Sequence, residues 1–512
     1  GLTKFDFLGI RNLSILAEAV QLVEQRHGVI IDLENIPLND PRTFALLARG
    51  QTEGLFQLNG SGMTRYLKEL KPTTIHDINA MVALYRPGPM EAIPEYIKRK
   101  HNPSLVRYLD PRMKEILDTS FGVITYQDDV MMLAIKLAGY TWIEADKLRK
   151  AMGKKIPAEM EAQKDKLLKG FVANGLSKEK ANELWLLIEP FAAYGFNKAH
   201  AASYGRVSYQ TAYMKANYPV EYMTAIMTAE SGDVEKVADI IAECKNMNIT
   251  VLPPDVNECF GGFTVINSGD NNGTGGIIRF GLYTIKNLGT DISDAIIEER
   301  KDRGPFLSIG DFLDRVHHKN LNKKSLEALI KTGAMDAFGE RATLFGNIEN
   351  MLEYNREGKK NAGMISLFGD LPDAGPTFNL QAMPPINISE ILVWEKELLG
   401  LYVSGHPLDK IKDKLLGRAL NIKKVHEGVG NGMSVVLAGI IETVRPVFTK
   451  KNDRMAFIRI ADFSGVIEAV VFPKTFTELS AIIIQDKTIA FEGKVTVRNG
   501  EKSIVIEKLK EI

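Results

Sequence analysis

Cysteine is nearly absent. Cys244 and Cys259 are the only two in 512 residues, with no CxxC spacing and no second metal-ligand pair beside them. That excludes a disulfide framework, makes a zinc site a poor expectation and fits a reducing cytoplasm. Long apolar runs are missing too: no stretch approaches the ~18 uninterrupted apolar residues of a membrane-spanning helix. The opening GLTKFDFLGIRNL has no basic region feeding an apolar core, so no signal peptide is expected. An excess of either charge is also absent. Lys+Arg and Asp+Glu both number 64, so a polyanionic partner would have to be met by local segregation of charge. The motifs GxxxxGK[ST], HExxH, GxSxG and the EF-hand loop do not occur, which counts against P-loop ATPases, zinc peptidases, serine hydrolases and calcium sensors. No short-period repeat suggests a solenoid. The first residue is Gly rather than Met, as in a fragment or a processed chain.

What is present is an ordinary globular composition, 45% hydrophobic and 25% charged, long enough for about three to four domains. Residues 4–10, KFDFLGI, read as a strand. The next segment spaces Leu13, Leu16, Ala17, Val20 and Val23 as one helical face, with Gly28 as its stop. From about 40 to 250 the pattern is helical, as in DPRTFALLARG, QDDVMMLAIKLAGY, SKEKANELWLLIEPFAAYGF and AASYGRVSYQTAYMKANYP. Arg86-Pro87-Gly88-Pro89 and Tyr218-Pro219 interrupt it. At Val251-Leu252-Pro253-Pro254-Asp255 the texture changes to short strands around a polar tip, residues 267–273, read as a mobile hairpin. Two segments centred on Ile285–Gly289 and Leu329–Ala334 look like helix-hairpin-helix turns, whose N–H groups can contact DNA phosphates without reading sequence. Residues 355–390, rich in Gly, Pro and Asn, read as a linker with one apolar island. From about 433 the chain is β. Five strands, one helical insert (TFTELSAII) and an Asn499-Gly500 hairpin signal predict a small barrel of the OB type.

Basic and aromatic clusters are the candidates for chemistry. Lys147-Leu148-Arg149-Lys150-Ala151-Met152-Gly153-Lys154-Lys155 places five cations at a helix end and past a Gly stop. A helix end stabilised by the macrodipole and a clamp on phosphate oxygens both account for it. In Tyr194-Gly195-Phe196-Asn197-Lys198-Ala199-His200, His200 and Tyr204 are four apart on one helix face. Lys198 sits where the helix dipole disfavours a cation, so a nearby anion would explain its placement; a capped helix with core aromatics is the competing account. Asp6 alternates with Phe5 and Phe7 on the first strand, with Lys4 on its own face. A surface aspartate and a metal ligand lacking its partner carboxylates both fit. Arg445, Lys450, Lys451, Arg454 and Arg459 cluster at the first barrel hairpin, either as a solvated loop or as a surface for single strands.

Together the segments KFDFLGIRNL (4–13), GLFQLNGSGM (54–63), ALYRPGPM (83–90), YQDDVM (126–131), LRKAMGKK (148–155), FAAYGFNKAHAASYGRVSYQTAYMKANYP (191–219), LPPDVN (252–257), LIKTGAMDAFG (329–339) and LLGLYVSGHPL (398–408) resemble the C-terminal half of the bacterial DNA polymerase III alpha subunit, the C-family replicative DNA polymerases. They run in family order and span nearly the whole chain. The resemblance implies a multidomain α+β chain: mostly helical fingers, a helix-hairpin-helix clamp-binding region and a C-terminal OB-type β-barrel. The implied divisions are the end of the palm (1–28), fingers (29–250), the helix-hairpin-helix DNA- and clamp-binding domain (251–354), a linker with the clamp-binding motif (355–390), connecting helices (391–430) and the OB domain (431–512).

The same resemblance implies template-directed DNA synthesis by two-metal nucleotidyl transfer. Asp6 would be the third metal-binding aspartate, holding two Mg²⁺ ions with two aspartates outside this chain, so the chain alone is expected to be inactive. Lys4, Arg149, Lys150, Lys154 and Lys155 would hold the incoming triphosphate. Asn197, Lys198, His200 and Tyr204 would border the sugar and base, with His200 as a ribose filter. Arg86, Lys286, Lys331, Arg445, Lys450, Lys451 and Arg454 are the DNA-side candidates. Met364-Ile365-Ser366-Leu367-Phe368 corresponds to the clamp-binding pentapeptide, with Met364 where Gln is usual and Ser366, Leu367 and Phe368 following; a buried linker patch is the competing account. Implied partners are primer–template DNA, deoxynucleoside triphosphates, the sliding clamp and, in the holoenzyme, clamp-loader and proofreading exonuclease subunits, with no membrane. The alternative from another class is a non-catalytic module binding DNA and the sliding clamp.

Overall fold

Helix ends in this chain are set by the residues that can satisfy them. The computed structural model describes residues 9–154, 157–194, 196–266, 276–361, 378–416, 420–449, 451–498 and 501–512. The first helix, α1 (Arg11–His27), stops at Gly28, whose φ of 65° is the left-handed cap that glycine adopts without strain. Its buried face is Ile15, Leu16, Ala19 and Val23, whereas Leu13 is 50% exposed. The expected face was therefore rotated: Leu13 and Ala17 fit the spacing, but the side that packs runs through Ile15 and Ala19. The apolar residues of this helix cover more than half of its circumference, which left the periodicity with two answers. The helix after it, Pro41–Arg49, starts on Asp40, whose carboxylate accepts from the Thr43 N–H at 2.8 Å, with Pro41 in the first turn.

The chain forms two units, Gly1–Leu321 and Asn322–Ile512. Within the first, α2 (Ile75–Leu84) lies against the long helix α5 (Lys198–Asn217). At their contact Gly205 faces Asn79, and a Cβ there would run into the Asn79 side chain. The start of α2 is anchored by buried Asp77, which accepts from Thr73 N–H at 2.8 Å, Thr74 N–H at 3.1 Å and the Lys100 ammonium at 2.7 Å. Between them in sequence run α3 (Gln127–Ala138) and α4 (Trp142–Lys154). Gly153 does not stop α4, which continues through it to Lys154; one glycine inside a helix costs only about 1 kcal/mol, which neighbouring packing can offset. At Tyr218-Pro219 the break is as expected: α5 ends at Asn217 and α6 (Pro219–Ala229) begins on the proline.

Past α6 the unit carries a three-stranded sheet, β1 (Thr250–Leu252), β2 (Thr264–Ile266) and β3 (Ile277–Arg279), in order β1-β3-β2. Strands β2 and β3 are antiparallel, as a hairpin requires; its tip, 267–273, lies outside the described residues. A 3₁₀ turn at Leu282–Thr284 leads into Ile285–Gly289, then α7 (Thr290–Arg303), so a 3₁₀ turn stands where a preceding α-helix was expected.

In the second unit, α8 (Lys323–Lys331), α9 (Arg341–Gly346) and the helix Ile348–Asn361 precede α10 (Ile388–Leu399). The first residues of the expected linker thus continue a helix to Asn361. Beyond them the carboxamide of Asn347 pairs with the backbone of Gln381 in both directions, at 2.8 and 3.1 Å. The unit ends in a closed five-stranded barrel: β4 (Ser434–Phe448), β5 (Arg454–Asp462), β6 (Gly465–Val471), β7 (Thr488–Arg498) and β8 (Glu501–Glu511), in order β4-β5-β6-β8-β7. Only β6 and β8 pair in parallel. The inward period-2 residues, among them Leu437, Ile458, Ile467, Phe491 and Ile504, form one core, and Ile422 and Val425 pack against it from outside the strands. Asn499 and Gly500 lie outside the described residues; Arg498 and Glu501 pair across them, the register of a two-residue hairpin loop.

Candidate nucleotide and nucleic-acid interface

The N-terminus of α5 displays a row of rings. His200 and Tyr204 lie one turn apart with ring centroids at 4.1 Å. Phe196 meets His200 edge-on at 5.1 Å, and Phe56 continues the row at 5.2 Å from Tyr204. At the Phe196 end the Arg86 guanidinium lies over that ring at 4.1 Å, a cation–π contact. Arg86 also carries a buried Nε–H without a hydrogen-bond partner among the described residues. His200, Lys198 and Asn197 are exposed, so the row has a solvent side.

Two devices fix this row. Asn197 caps α5, its side-chain oxygen accepting from the His200 N–H at 2.9 Å. The start of α3 then latches onto the start of α5: Asp128 accepts from the Lys198 N–H at 2.7 Å, and Gln127 N–H donates to the Phe196 carbonyl at 3.0 Å. Asp128 thus meets the backbone of Lys198, while the Lys198 ammonium lies over the Tyr126 ring at 5.5 Å. Asp129, buried beside them, accepts from the Thr125 and Tyr126 N–H groups at 2.9 Å each. Burial pushes its carboxyl up to about 6, against the pull of those two N–H groups and of Lys198. Phe56, Asp128 and Asp129 join the row without having been candidates in the sequence, whereas Phe196 stood in the cluster named there. YQDDVM carried the signal for the two aspartates, as acids opening a helix, whereas nothing local marks Phe56.

On α4, Arg149 and Lys150 share one carboxylate. Arg149 donates to Asp146 at 2.7 and 3.0 Å, and Lys150 approaches its other oxygen at 2.7 Å. These cations hold the Asp146 carboxyl below its usual range. Lys155, Lys4 and Asp6 lie outside the described residues, and of Lys154 only the helical backbone is described. Among the described residues no cluster of three His, Cys, Asp or Glu could hold a metal ion, so a metal site finds no fit in the described part of the chain. Both cysteines are buried free thiols pushed up to about 12 by burial.

Lys286 is exposed on the first expected hairpin turn, beside Asn287 at φ 69° and ahead of the Gly289 cap of α7. In the other unit, Lys331 lies over the rings of Phe345 and Trp394 at 5.1 and 5.5 Å. The turn that follows it is filled by Arg341, which donates to the Lys331 carbonyl, to Asp336 and to Glu395.

On the outer face of the barrel, cross-strand partners interleave cations and rings. Arg445 pairs with Phe457 and lies over its ring at 5.2 Å; Arg454 pairs with Phe448 at 5.8 Å. Arg459 makes an ion pair with Glu442 at 3.2 Å, and Lys451 is exposed in the β4–β5 turn, while Lys450 lies outside the described residues. Next to these a cleft of about 680 Å³ runs over Met455, Phe457, Val470, Phe472, Thr496 and Lys502. Rings flanked by cations on a barrel face can stack bases and track a phosphate backbone. The pentapeptide Met364, Ser366, Leu367 and Phe368 lies outside the described residues.

A largely helical unit and a closed five-stranded barrel, each with rings and cations set side by side, are the architecture of this chain. Residues 12–175 match the bacterial DNA polymerase III alpha subunit finger domain, 248–344 the helix-hairpin-helix motif, and 435–512 the OB-fold nucleic acid binding domain. The DNA polymerase III subunit alpha of Thermus aquaticus is 41% identical over 95% of this chain and 40% of its own length. That of Borreliella burgdorferi is 41% identical over 99% of this chain and 44% of its own, and that of Bacillus subtilis 38% over 99% and 45%. Among solved structures, the mitochondrial single-stranded DNA binding protein Rim1 of S. cerevisiae matches 16% of this chain and 97% of its own at 16% identity, with a TM-score of 0.15. The chain belongs to the family of bacterial DNA polymerase III alpha subunits, and spans about two fifths of the length of the curated relatives it matches.

Proposed function

We propose that this chain is the fingers-to-barrel portion of the catalytic subunit of a bacterial replicative DNA polymerase, acting in the cytoplasm in template-directed DNA synthesis. The observation that carries the reading is the ring row Phe196–His200–Tyr204, ended by Arg86 with its unpartnered buried Nε–H and latched in place by Asn197 and Asp128. The exposed His200 ring, flanked by the half-buried rings of Phe196 and Tyr204, offers stacking area to a nucleotide base and stands at the middle of the row as the ribose filter. Arg149 and Lys150, tied to the single carboxylate of Asp146, have donor capacity left for a triphosphate, with Lys4, Lys154 and Lys155 as the further cations.

Asp6, together with further aspartates of the complete polymerase, would hold Mg²⁺, which when bound would supply charge neutralisation at the pyrophosphate and at the primer hydroxyl. Lys286, Lys331 and the barrel cations are the proposed contacts to DNA. The pentapeptide at 364–368 is the proposed anchor on the sliding clamp, and clamp-loader and exonuclease subunits would be holoenzyme partners.

In the complete polymerase, Asp6→Asn is expected to abolish nucleotide addition and leave primer–template affinity intact; normal turnover by that variant would refute the metal-ligand role. His200→Ala is expected to raise KM for deoxynucleotides and relax rejection of ribonucleotides. For the clamp, Leu367→Ala with Phe368→Ala should remove binding of a peptide spanning 364–368, and unchanged affinity would leave the segment as a linker patch.

A further inference from the structure

The second unit holds another row of rings and cations; all of it but Phe463 precedes the residues that match the OB family, and none of it lines the barrel's own cleft. Tyr402 and His406, in the segment after α10, lie with ring centroids 5.7 Å apart, and His406 is 5.0 Å from Phe463, in the β5–β6 turn. An ammonium stands at each end: Lys396 over Tyr402 at 5.0 Å and Lys412 over Phe463 at 5.9 Å. Phe463 is 38% exposed, Lys412 is exposed, and Tyr402 and His406 are half-buried, so the row meets solvent along its length.

Its geometry is fixed rather than incidental. The Tyr402 hydroxyl donates to Asp486 at 2.9 Å. Leu408 N–H donates to His406 Nδ1 at 3.1 Å, which leaves the proton of the neutral ring on Nε2. The segment hangs on α10 through Glu395, whose carboxylate accepts from Val403 N–H at 2.9 Å and Ser404 N–H at 2.8 Å. The nearby carboxylates are engaged locally. Asp409 accepts from His406 N–H at 2.6 Å, and Asp462 from Ile422, Ser464 and Gly465 N–H groups.

We infer that Lys396–Tyr402–His406–Phe463–Lys412 is a second contact for single-stranded nucleic acid. Ring faces between ammonium groups are the pairing that stacks unpaired bases while meeting phosphates, and neither an acidic peptide nor a duplex makes use of both. Phe463, in the turn that ends β5, follows Phe457 by six residues, at most about 20 Å at strand rise, so one strand leaving the barrel cleft can reach it. This rests on the cleft being a single-strand site.

The test uses the full 512-residue chain and fluorescent oligo-dT of ~16 and ~5 nucleotides, the span of OB-fold site sizes, with a duplex of matching length. Phe457→Ala should weaken both oligonucleotides about ten-fold. Phe463→Leu and His406→Ala should each weaken the longer one about five-fold or more, leaving the shorter one and the duplex unchanged. Lys412→Gln, an exposed change that leaves the fold alone, should lower the salt slope on the longer strand by about 0.7. If only Phe457→Ala weakens binding, the row is no contact and the cleft reading stands. If no variant weakens binding, the cleft reading falls with it. Equal losses on duplex would reduce the row to a charged patch and overturn stacking.

Discussion

Glu395 offers the sharpest perturbation, because its side chain is fully buried and its partners come from two places in the second unit, Arg341 and the Val403-Ser404 segment. One carboxylate oxygen accepts from Arg341 at 3.0 Å and from the Ser404 hydroxyl; the other accepts from the Val403 and Ser404 N–H groups. Glu395→Ala leaves the part-buried N–H groups of Val403 and Ser404 without this acceptor and Arg341 with Asp336 as its remaining carboxylate, at 2.9 Å and half exposed. Breaking a buried pair by removing one partner costs about 3–5 kcal/mol. Glu395→Gln can keep its oxygen toward the two N–H groups and its amide toward the Ser404 hydroxyl, so it loses mainly the bond to Arg341, about 2 kcal/mol. The readout is built in. Of the three tryptophans only Trp394 lies in this unit, buried and 5.2 Å from Phe345. With Trp142→Phe and Trp185→Phe as background, emission follows this unit alone, which matters because two units need not melt together. The Ala variant should melt lower by about 10 °C and the Gln variant by about half of that. An Ala variant within about 0.5 kcal/mol of the parent, or a Gln variant as costly as Ala, would refute the reasoning.

Two further outcomes follow from buried ionisable groups. Folding raises the Asp129 carboxyl to about 6, so the folded chain holds that proton after the unfolded chain has released it. Its contribution is complete below about pH 4 and is lost as pH rises through about 6; Asp129→Asn, which keeps an acceptor for Thr125 and Tyr126, should flatten that fall and melt above the parent at pH 8. The thiols of Cys244 and Cys259, pushed up to about 12, should resist a thiol reagent in the folded chain at pH 8 and both react in denaturant; a thiol reacting rapidly in the native state would contradict the burial.

Much of the architecture was legible because local chemistry decides it. Asp40 before Pro41, Gly28 after His27 and the alternation of β4 through β8 mark helix ends and strand faces wherever they occur. The spacing of His200 and Tyr204 put both on one face of a helix, and their rings do meet. Local chemistry misled where a second element had to choose. The buried face of α1 was set by what packs on Ile15 and Ala19, and α4 ran on through Gly153.

The sequence by itself determined the kinds of residue available and the elements that carry them: rings and cations on α5, α4 and the barrel strands, with family membership written in their order. Tertiary structure alone decided which became partners. Phe56 joins the row of His200 from a loop far away in sequence, Asp128 reaches Lys198 across seventy residues, and Arg341 fills the turn after Lys331 that a hairpin reading leaves open. The physical reason is that a helix or strand fixes the direction of a side chain within its own few turns, whereas the partner that neutralises, stacks on or desolvates it arrives from whichever segment the packing brings there.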